Sequence, residues 1–449
     1  EFVYDDHVVI LREDNTEVAR LITVWFEPHV KDDPASLTYR PLSDFSLALT
    51  RLVVGDKPMY FHIGNIMIHA LTGYCAFLLL VLLGYSQRIA ILTACIYTFL
   101  PIRSEVVAFM KARDDGLSTL FGLLSWILFL KAMNGRKKTM FGWSLLSSLA
   151  YGASLFSKEL HVYLPLIFLC IWLVRSKRGS MRLLFDLMVV YSIPLFVYLA
   201  FRTAALKGSG IATNDLGVFY MNPLRDLSYP ANILVPLTLT YYAVSRTIVP
   251  ITLSATYSYN QIPVVMYITQ SWQAIVGSVS IVLCIACISH ARIRQTLAGI
   301  GALLFALYLP IIARFIGQQS GELFTERWLY LPVLGIAMIM VWVFQRILHA
   351  NRYIGYGVLV VLLVVYGMRI YTRNTIWKSN ETLYTSMVRD APLSYPGHKF
   401  LAQEYAKQER FEESYTQAEI ALHIYNRDKE LFNLMGIMAI QLGKHEQGT

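Results

Sequence analysis

The chain has 449 residues, of which 55% are hydrophobic and 15% are charged, and its mean hydropathy is +0.47. Soluble domains carry about 25% charged residues, so this composition excludes an ordinary soluble enzyme and favours a polytopic membrane protein. The formal net charge is +9. Because the basic residues fall in short clusters between apolar runs, they indicate membrane topology rather than a nucleic-acid partner.

The chain begins with an acidic pair, Asp5-Asp6, which His7 and a short apolar run follow. Two neighbouring carboxylates repel each other unless a cation, a proton or a substrate relieves the repulsion. If the pair faces a cavity at a membrane surface, one carboxylate can act as a base, whereas the simpler alternative is a solvated acidic turn. Residues 1–58 are too polar to span a membrane, and we predict a surface segment with one or two short interfacial helices.

Ten apolar segments are predicted to cross the membrane, within a transmembrane domain over residues 59–372. They lie at 60–84, 88–101, 117–133, 139–157, 161–175, 183–201, 272–289, 296–316, 327–348 and 353–371. The short basic loops between them are expected on the cytoplasmic side, which leaves the acidic pair on the opposite face. A further span is expected ahead of residue 1. The predicted fold is an all-α, polytopic membrane helix bundle.

The first predicted span carries His62, Asn65 and His69 at positions i, i+3 and i+7, which places them on one helical face. Polar residues in a membrane helix usually face protein or water rather than lipid. This pattern fits either a hydrogen-bonded helix contact, which we favour, or a metal site.

Residues 101–115 follow the second predicted span and are too charged to lie in lipid. Their apolar positions predict a short amphipathic helix on the non-cytoplasmic face, with Glu105 and Arg113 as its functional candidates. Lys158 and Glu159 end the fourth predicted span on the same face. A solvated surface and an ion pair at a helix end are the structural alternatives for these charges.

The longest connection between predicted spans, residues 202–271, contains an apolar stretch at 231–251 that two prolines interrupt. The loop charges leave no room for a complete crossing, so we predict a re-entrant or interfacial helix. Arg327 opens the ninth predicted span. Its planar guanidinium can bind two phosphate oxygens, although arginine is also common as an interfacial anchor.

Residues 373–449 are soluble in character, and they contain a weak repeat with a shift of 34 residues, in which Leu401-Ala402 recurs as Met435-Gly436. Tyr405, Phe411, Ala418 and Ala421 extend the pattern, which is typical of tetratricopeptide repeats. Because such arrays need about three repeats to bury a core, the array is expected to continue past residue 449.

The order of these pieces resembles one family, the multispanning glycosyltransferases of the C-type fold that carry C-terminal tetratricopeptide repeats. Its eukaryotic members are the transmembrane and tetratricopeptide-repeat-containing O-mannosyltransferases. Seven motifs match in order: Phe2-Val3-Tyr4-Asp5-Asp6, Tyr39-Arg40-Pro41-Leu42, His62 with Asn65 and His69, Pro101 to Asp115, Ser157-Lys158-Glu159, Asn222-Pro223-Leu224, and Glu326 to Pro332.

The chain departs from this family at three positions. The family usually has His where this chain has Leu100 and Arg103, and it usually has Asp where Thr256 precedes Tyr257. These departures leave the predicted fold unchanged, but they bear on the substrate contacts and on the sugar.

The resemblance implies transfer of a sugar, with inversion, from a polyprenyl-phosphate carrier to an acceptor hydroxyl, which is expected to belong to a protein. The carrier would be dolichyl or undecaprenyl phosphate, and the reaction would occur on the non-cytoplasmic face of an endoplasmic-reticulum or bacterial inner membrane. Asp5 or Asp6 is expected to be the base, with Asp5 slightly ahead from its place in the motif.

Four cations are candidates for binding the donor phosphate, because preorganised donors best stabilise the charge that develops on it. They are Arg202 and Arg327, followed by Lys158 and Arg113. Glu105 is expected to orient the acceptor or an ion. The remaining motif residues are expected to bind substrate or to hold the structure: Arg40, His62, Asn65, His69, Glu159, Glu326 and Tyr257.

No cofactor is expected to be required, although a divalent cation at Asp5 and Asp6 is an alternative. The repeats are expected to recruit the acceptor protein or an assembly partner. Three other functions stay open: a transporter or flippase, a lipid-linked oligosaccharide ligase, and a scaffold whose membrane part has lost its activity.

Overall fold

The computed structural model describes residues 1–30, 38–135, 137–175, 181–206, 219–227, 229–262, 264–316 and 321–443. Across these ranges the chain is all-α, with two isolated β-bridges, Tyr257 to Phe324 and Tyr259 to Ile262, and no strand. The prediction of an all-α polytopic protein is therefore confirmed.

The α-helices are numbered in chain order. They are α1 Asp6–Val9, α2 Arg20–Thr23, α3 Pro41–Val54, α4 Pro58–Leu82, α5 Gln87–Phe99, α6 Ser104–Ala108, α7 Arg113–Asn134, α8 Lys137–Ser157, α9 Leu164–Arg175, α10 Met181–Leu206, α11 Ala231–Ile248, α12 Trp272–Ser289, α13 Leu297–Ile312, α14 Val333–Ala350, α15 Arg352–Ile376, α16 Asn380–Asp390, α17 Tyr395–Lys407, α18 Phe411–Ile424 and α19 Lys429–Gln441. Short 3-10 helices include Pro101–Arg103, Met110–Ala112, Glu159–His161 and Glu326–Leu329.

Six helical stretches of the described chain are long and apolar enough to cross a membrane: Pro58–Leu82, Met110–Asn134, Met188–Leu206, Trp272–Ser289, Val333–Ala350 and Arg352–Ile376. The number is seven if α5 and the helical segment Pro101–Ala108, which meet at a 57° bend, form one broken span. Proline at this bend removes a backbone donor and disfavours a straight helix. A helix lies at each of the ten predicted spans, but the count of ten and the domain limits stay predictions.

The bundle packs through small residues. Serine hydroxyls join α7 to α8, where Ser118 donates to the Ser154 carbonyl at 3.0 Å and Ser125 donates to the Ser147 carbonyl at 2.8 Å. Between α13 and α14, a Cβ on Gly301 would lie 2.4 Å from the Gly335 carbonyl oxygen. Small residues allow this close approach of helices, as is common in membrane bundles.

The segment after α15 forms antiparallel helix pairs, with α17 packed on α18 and α18 packed on α19. The methyl groups of Ala418 and Ala421 are fully buried in the core of these pairs. The start of the chain lies between this segment and the bundle, because the Tyr4 ring contacts Phe109 on one side and Phe400 on the other. The fold thus brings the acidic pair next to the residue 101–115 region.

Candidate active site at the acidic pair

Asp5 and Asp6 are adjacent in the chain but lie in different environments. Tyr4 has a φ of 55°, an uncommon left-handed conformation for a residue other than glycine, and Asp6 then begins α1. The Asp6 carboxylate is 0% exposed and accepts the backbone N–H groups of Val3 at 3.1 Å and Lys111 at 2.8 Å. The Asp5 side chain is 41% exposed and pairs with the Lys111 ammonium at 3.1 Å.

These environments move the pKa values of the two carboxyls in opposite directions. Burial raises the pKa of Asp6 to about 7, against the lowering effect of its two backbone hydrogen bonds. Burial also acts to raise the pKa of Asp5, but the Lys111 charge outweighs it and the pKa is lowered. Asp5 is therefore ionised at neutral pH and accessible, whereas Asp6 holds two chain segments together.

The pair does not form a site for a divalent cation. Both Asp6 oxygens accept backbone N–H groups, and Asp5 points to the Lys111 ammonium, so the two carboxylates do not converge. Within the described ranges, no group of three or more His, Cys, Asp or Glu side chains could hold a metal ion. Because such a cation takes several oxygen ligands, the residues present do not fit one here.

A second group of charges lies at the beginning of α7. Arg40 donates to Asp114 Oδ2 at 2.6 Å, and it holds Glu159 with two hydrogen bonds of 2.9 and 3.2 Å. Lys158 pairs with Asp115 at 2.5 Å and with Asp114 at 3.5 Å. Burial opposes the ionised form of Glu159, but Arg40 lowers its pKa to about 2. The motif residues Arg40, Lys158 and Glu159 thus meet around two acids that were not singled out from the sequence.

Arg327 and Glu105 form the third group. Arg327 Nη1 donates to Glu105 Oε1 at 2.9 Å, and Nη2 donates to Glu322 Oε2 at 2.8 Å. Glu105 is fully buried, and its Oε2 has no hydrogen-bond partner among the described residues. Arg327 also lies near enough to Asp5 and Asp115 to interact with them electrostatically. It therefore connects the acidic pair to the charges at α7.

Glu326 precedes Arg327 in the chain and is held in place by buried hydrogen bonds. Its Oε1 accepts the Tyr257 hydroxyl and the Ser254 backbone N–H, both at 2.7 Å, and its Oε2 is 3.4 Å from Arg373. All four residues are buried. Burial raises the pKa of Glu326, although Arg373 and these hydrogen bonds act against the shift. Glu326 and Tyr257 thus fix the segment that carries Arg327.

Arg113 donates four hydrogen bonds inside the protein. Its guanidinium donates to Asn65 Oδ1 at 2.9 Å, to the Thr50 hydroxyl at 2.8 Å and to the carbonyls of Ser46 and Phe61, both at 3.1 Å. Every guanidinium nitrogen is therefore used to join α3, α4 and α7. This geometry is that of a structural clamp, because four of the five guanidinium N–H groups donate inside the protein.

The polar face of α4 also contacts neighbouring segments. Asn65 donates to the carbonyls of Phe109 and Met110 at 3.2 and 3.3 Å. His69 Nδ1 is 2.7 Å from the Tyr330 hydroxyl, and its Nε2 is 3.2 Å from the Thr98 carbonyl. His62 hydrogen-bonds the backbone of Val107. These side chains anchor the bend after α5 rather than gather around one point.

Two further arginines differ in their surroundings. Arg202 lies near the end of α10 and close to Tyr198, which Arg40 and Glu159 also influence electrostatically, so it lies near the charges at α7. Arg103 is 1% exposed, and its guanidinium carbon lies 3.6 Å and 4.0 Å from the ring centres of Tyr97 and Tyr330. No described carboxylate pairs with Arg103, and its Nε and Nη2 have no partner among the described residues.

The sequence analysis missed Lys111, Asp114, Asp115, Glu322 and Arg373 as site residues. The signal for three of them was present, because Lys111, Asp114 and Asp115 lie within the matched motif of residues 101–115. Nothing in the local pattern marks Glu322 or Arg373, which reach the site through contacts with Arg327 and Glu326. Long-range ion pairs of this kind leave no periodic trace in a sequence.

Known proteins similar to this chain are protein O-mannosyl-transferases. The chain is 23% identical to protein O-mannosyl-transferase TMTC1 of Homo sapiens over 454 aligned positions, which cover 89% of this chain and 49% of that protein. It is 22% identical to TMTC4 of Homo sapiens, over 90% of this chain and 61% of that protein. A stretch of 125 positions, 27% of the chain, is 32% identical to 15% of TMTC2 of Homo sapiens.

The chain thus spans 49% and 61% of the two relatives that match most of it. No protein-family model matches the chain, and no solved structure matches it. The resemblance predicted from the motifs is confirmed by these relatives: over most of its length, the chain is similar to the protein O-mannosyl-transferases.

Proposed function

We propose that this chain is the membrane-embedded part of an inverting glycosyltransferase, which moves a sugar from a polyprenyl phosphate to a protein hydroxyl on the non-cytoplasmic face. The observation that carries the proposal is the exposed carboxylate of Asp5, which lies at the edge of a buried charge network containing Arg327 and Lys111. The names of the similar proteins support a sugar transfer to protein.

In the proposed reaction, the acceptor oxygen attacks the anomeric carbon while its proton passes to Asp5. The bond between that carbon and the phosphate oxygen breaks, and the lipid phosphate leaves with the electron pair. Asp5 suits the base because it is ionised at neutral pH and 41% exposed. Asp6 does not suit this role, because both of its oxygens are occupied and buried.

The developing phosphate charge would be met by Arg327. One of its nitrogens is fixed by the buried Glu105, and the other pairs with Glu322, whose side chain is 17% exposed. A phosphate oxygen would replace the Glu322 carboxylate. The hydrogen bond from Arg327 to Glu105 would remain and keep the guanidinium in its orientation. Preorganised donors of this kind stabilise charge at little reorganisation cost.

The polyprenyl chain would lie in an apolar groove of about 820 Å³ between residues 248–251 and α15. Val358, Val361 and Val365 line it along α15, and Arg369 and Thr372 lie at one end. One turn further along α15, Arg373 contacts Glu326, the neighbour of Arg327. The groove therefore ends near the charges that would bind the phosphate.

Substitution of Asp5 tests this proposal directly. Asp5→Asn in the full-length protein should lower sugar transfer from dolichyl-phosphate mannose by about 100-fold or more, with donor binding retained, because the base is lost. Asp56→Asn is the matched control, since Asp56 is also a half-exposed aspartate in an ion pair, at 53% exposure beside Arg51. Near-normal turnover of the Asp5 variant would remove Asp5 as the base.

A further inference from the structure

A cavity of about 230 Å³ with a mixed polar and apolar lining lies away from the acidic pair, between residues 252–261 and the beginning of the predicted repeat segment, α16 to α19. The cavity is lined by residues of α11, of the loop after α11 and of the turn that follows α16. They include Tyr242, Arg246, Ser254, Tyr257, Gln261 and Asp390. Nothing in the proposed reaction uses this cavity, although Tyr257 connects its wall to Glu326.

Several polar atoms in the cavity wall have no partner within the described part of the chain. They are Nε of Arg246, Oγ of Ser254 and Oε1 of Gln261, all of them buried. Ser254 itself is only 5% exposed. Because buried polar groups are nearly always hydrogen-bonded in native proteins, three such atoms around one cavity make it suitable for a ligand that supplies both donors and acceptors.

The charge balance of the cavity favours an anionic ligand. Arg246 stacks over the Tyr242 ring at 5.2 Å and makes no hydrogen bond or ion pair with the described residues. The carboxylates nearby are already compensated, because Arg373 pairs with Glu326 and Arg389 pairs with Asp390. Arg246 interacts electrostatically with Glu326 but makes no hydrogen bond to it, so its guanidinium can still donate to a carboxylate or a phosphate.

The position and size of the cavity select between these anions. Pro392 and Leu393 form part of the rim, and Leu393 is 59% exposed, which gives an apolar contact beside the charge. The volume is below the range of about 300–1,000 Å³ that is usual for pockets holding a whole small molecule, so it fits a side chain and the adjoining backbone. Backbone amides would also satisfy Ser254 and Gln261.

We propose that this cavity binds an acidic side chain of the acceptor polypeptide, with Arg246 holding the carboxylate. The identity of the ligand as the acceptor rests on the proposed function, whereas the binding of an acidic peptide does not. The repeat segment then contributes one wall of an acceptor site, and the acceptor is held at a second point besides its reacting hydroxyl.

The test is binding of two capped pentapeptides, identical except that one has glutamate and the other glutamine at its centre, to the full-length protein without donor. We expect the acidic peptide to bind about tenfold more tightly, because a charge-assisted hydrogen bond is lost in the other. Arg246→Gln should abolish this preference. Arg352→Gln is the control, because Arg352 also stacks on a tyrosine, at 5.0 Å, but is exposed and outside the cavity.

Ser254→Ala gives a second variant that keeps the fold, because the hydroxyl it removes makes no hydrogen bond within the described ranges. It should weaken the binding of both peptides equally and leave the melting temperature unchanged. Equal binding of the two peptides, or a preference that survives Arg246→Gln, overturns the proposal. Inorganic phosphate that binds with the same dependence on Arg246, while the peptides do not discriminate, would assign the cavity to a phosphate instead. If the protein still distinguishes the two peptides but transfers no sugar, the proposed function is contradicted and the acidic-peptide site is not.

Discussion

Arg327 and Glu105 are 222 residues apart in the chain, and the arginine donates to the glutamate at 2.9 Å in the interior of the protein. The pair is buried on the Glu105 side, while Glu322 reaches the other guanidinium nitrogen from a more exposed position. Breaking a buried pair costs several kcal/mol because it leaves an uncompensated charge, whereas a carboxylate that water can reach is more readily solvated when its partner leaves. Glu105 is therefore the permanent partner of Arg327, and Glu322 is the replaceable one.

Glu322→Gln should consequently strengthen donor binding. In the proposed reaction, Glu322 competes with the donor phosphate for Arg327, so its neutralisation should lower the KM for the polyprenyl-phosphate sugar several-fold and leave kcat little changed. Arg327→Gln should act in the opposite direction on KM and also lower kcat. Steady-state kinetics over a range of donor concentrations measures both, and a raised donor KM in Glu322→Gln would show that Glu322 helps to bind the donor.

Two buried arginines should respond in opposite ways to the same substitution. Among the described residues, Arg103 has no acidic partner and its Nε and Nη2 are unpartnered, while Nη1 donates to the Tyr97 carbonyl at 3.0 Å; Arg103→Met therefore removes a desolvated charge and should raise the free energy of unfolding by about 1 kcal/mol. Arg113→Met instead leaves Asn65 and two carbonyls without their donor, and it should lower that free energy by about 3 kcal/mol or more. Thermal unfolding of both variants in one detergent gives the comparison.

Loss of stability in Arg103→Met would mean that the two tyrosine faces compensate the charge fully. Arg103→His adds a second measurement, because the similar family usually has His at this position. If transfer activity needs a permanent positive charge there, Arg103→His should lower it while stability is kept.

The helices could be predicted from the sequence because their apolar runs are long, and a helix lies at each predicted span. The motif residues could be selected because seven short motifs follow one another in the order of a known family. What the sequence could not give is the partner of each charge. Arg113 and Arg327 look equivalent as basic residues near a membrane surface. In the structure, however, Arg113 donates to amide and carbonyl oxygens, whereas Arg327 pairs with two carboxylates. Pairing over such separations is decided by the three-dimensional packing.

The Asp6 carboxyl should make stability depend on pH in an unusual direction. Burial raises its folded pKa to about 7, whereas an unfolded aspartate titrates near 3.9. The folded state therefore binds more protons between these values, and the contribution of Asp6 to stability decreases as the pH rises from about 4 to about 7. Melting temperatures over this interval should fall more steeply in the wild type than in Asp6→Asn.

Glu159 provides the control of opposite sign. Arg40 lowers its folded pKa to about 2, so its contribution is present above pH 4.5 and is lost as the pH falls toward 2. Glu159→Gln should therefore weaken the pH dependence of the melting temperature below about pH 4.5 and leave it unchanged between pH 5 and pH 7. An Asp6→Asn profile parallel to that of the wild type would mean that Asp6 is ionised in the folded protein at pH 5.

Asp428 should be a stability determinant of the repeat segment. Its Oδ2 accepts the Lys399 ammonium and the Tyr395 hydroxyl, both at 2.6 Å, and its Oδ1 caps α19 through the Glu430 N–H at 2.9 Å. Asp428→Ala removes the cap and leaves the buried Lys399 ammonium with the exposed Glu430 carboxylate at 3.0 Å as its remaining acidic partner, so it should cost about 3 kcal/mol. Hydrogen exchange of α17 to α19 should then accelerate, while α4 to α15 stay protected.

Asp428→Asn separates the two contributions, because an amide oxygen can still cap the helix but no longer compensates Lys399. The hydrogen-exchange rate of α17 in Asp428→Asn should lie between the rates in the wild type and in Asp428→Ala. Asp390→Ala is the comparison, since Asp390 forms an ion pair with Arg389, which is 65% exposed, and surface pairs contribute about 0–1 kcal/mol. Equal exchange in Asp428→Ala and Asp390→Ala would show that the buried ion pair does not hold the repeat helices together, and that their packing around Ala418 and Ala421 suffices.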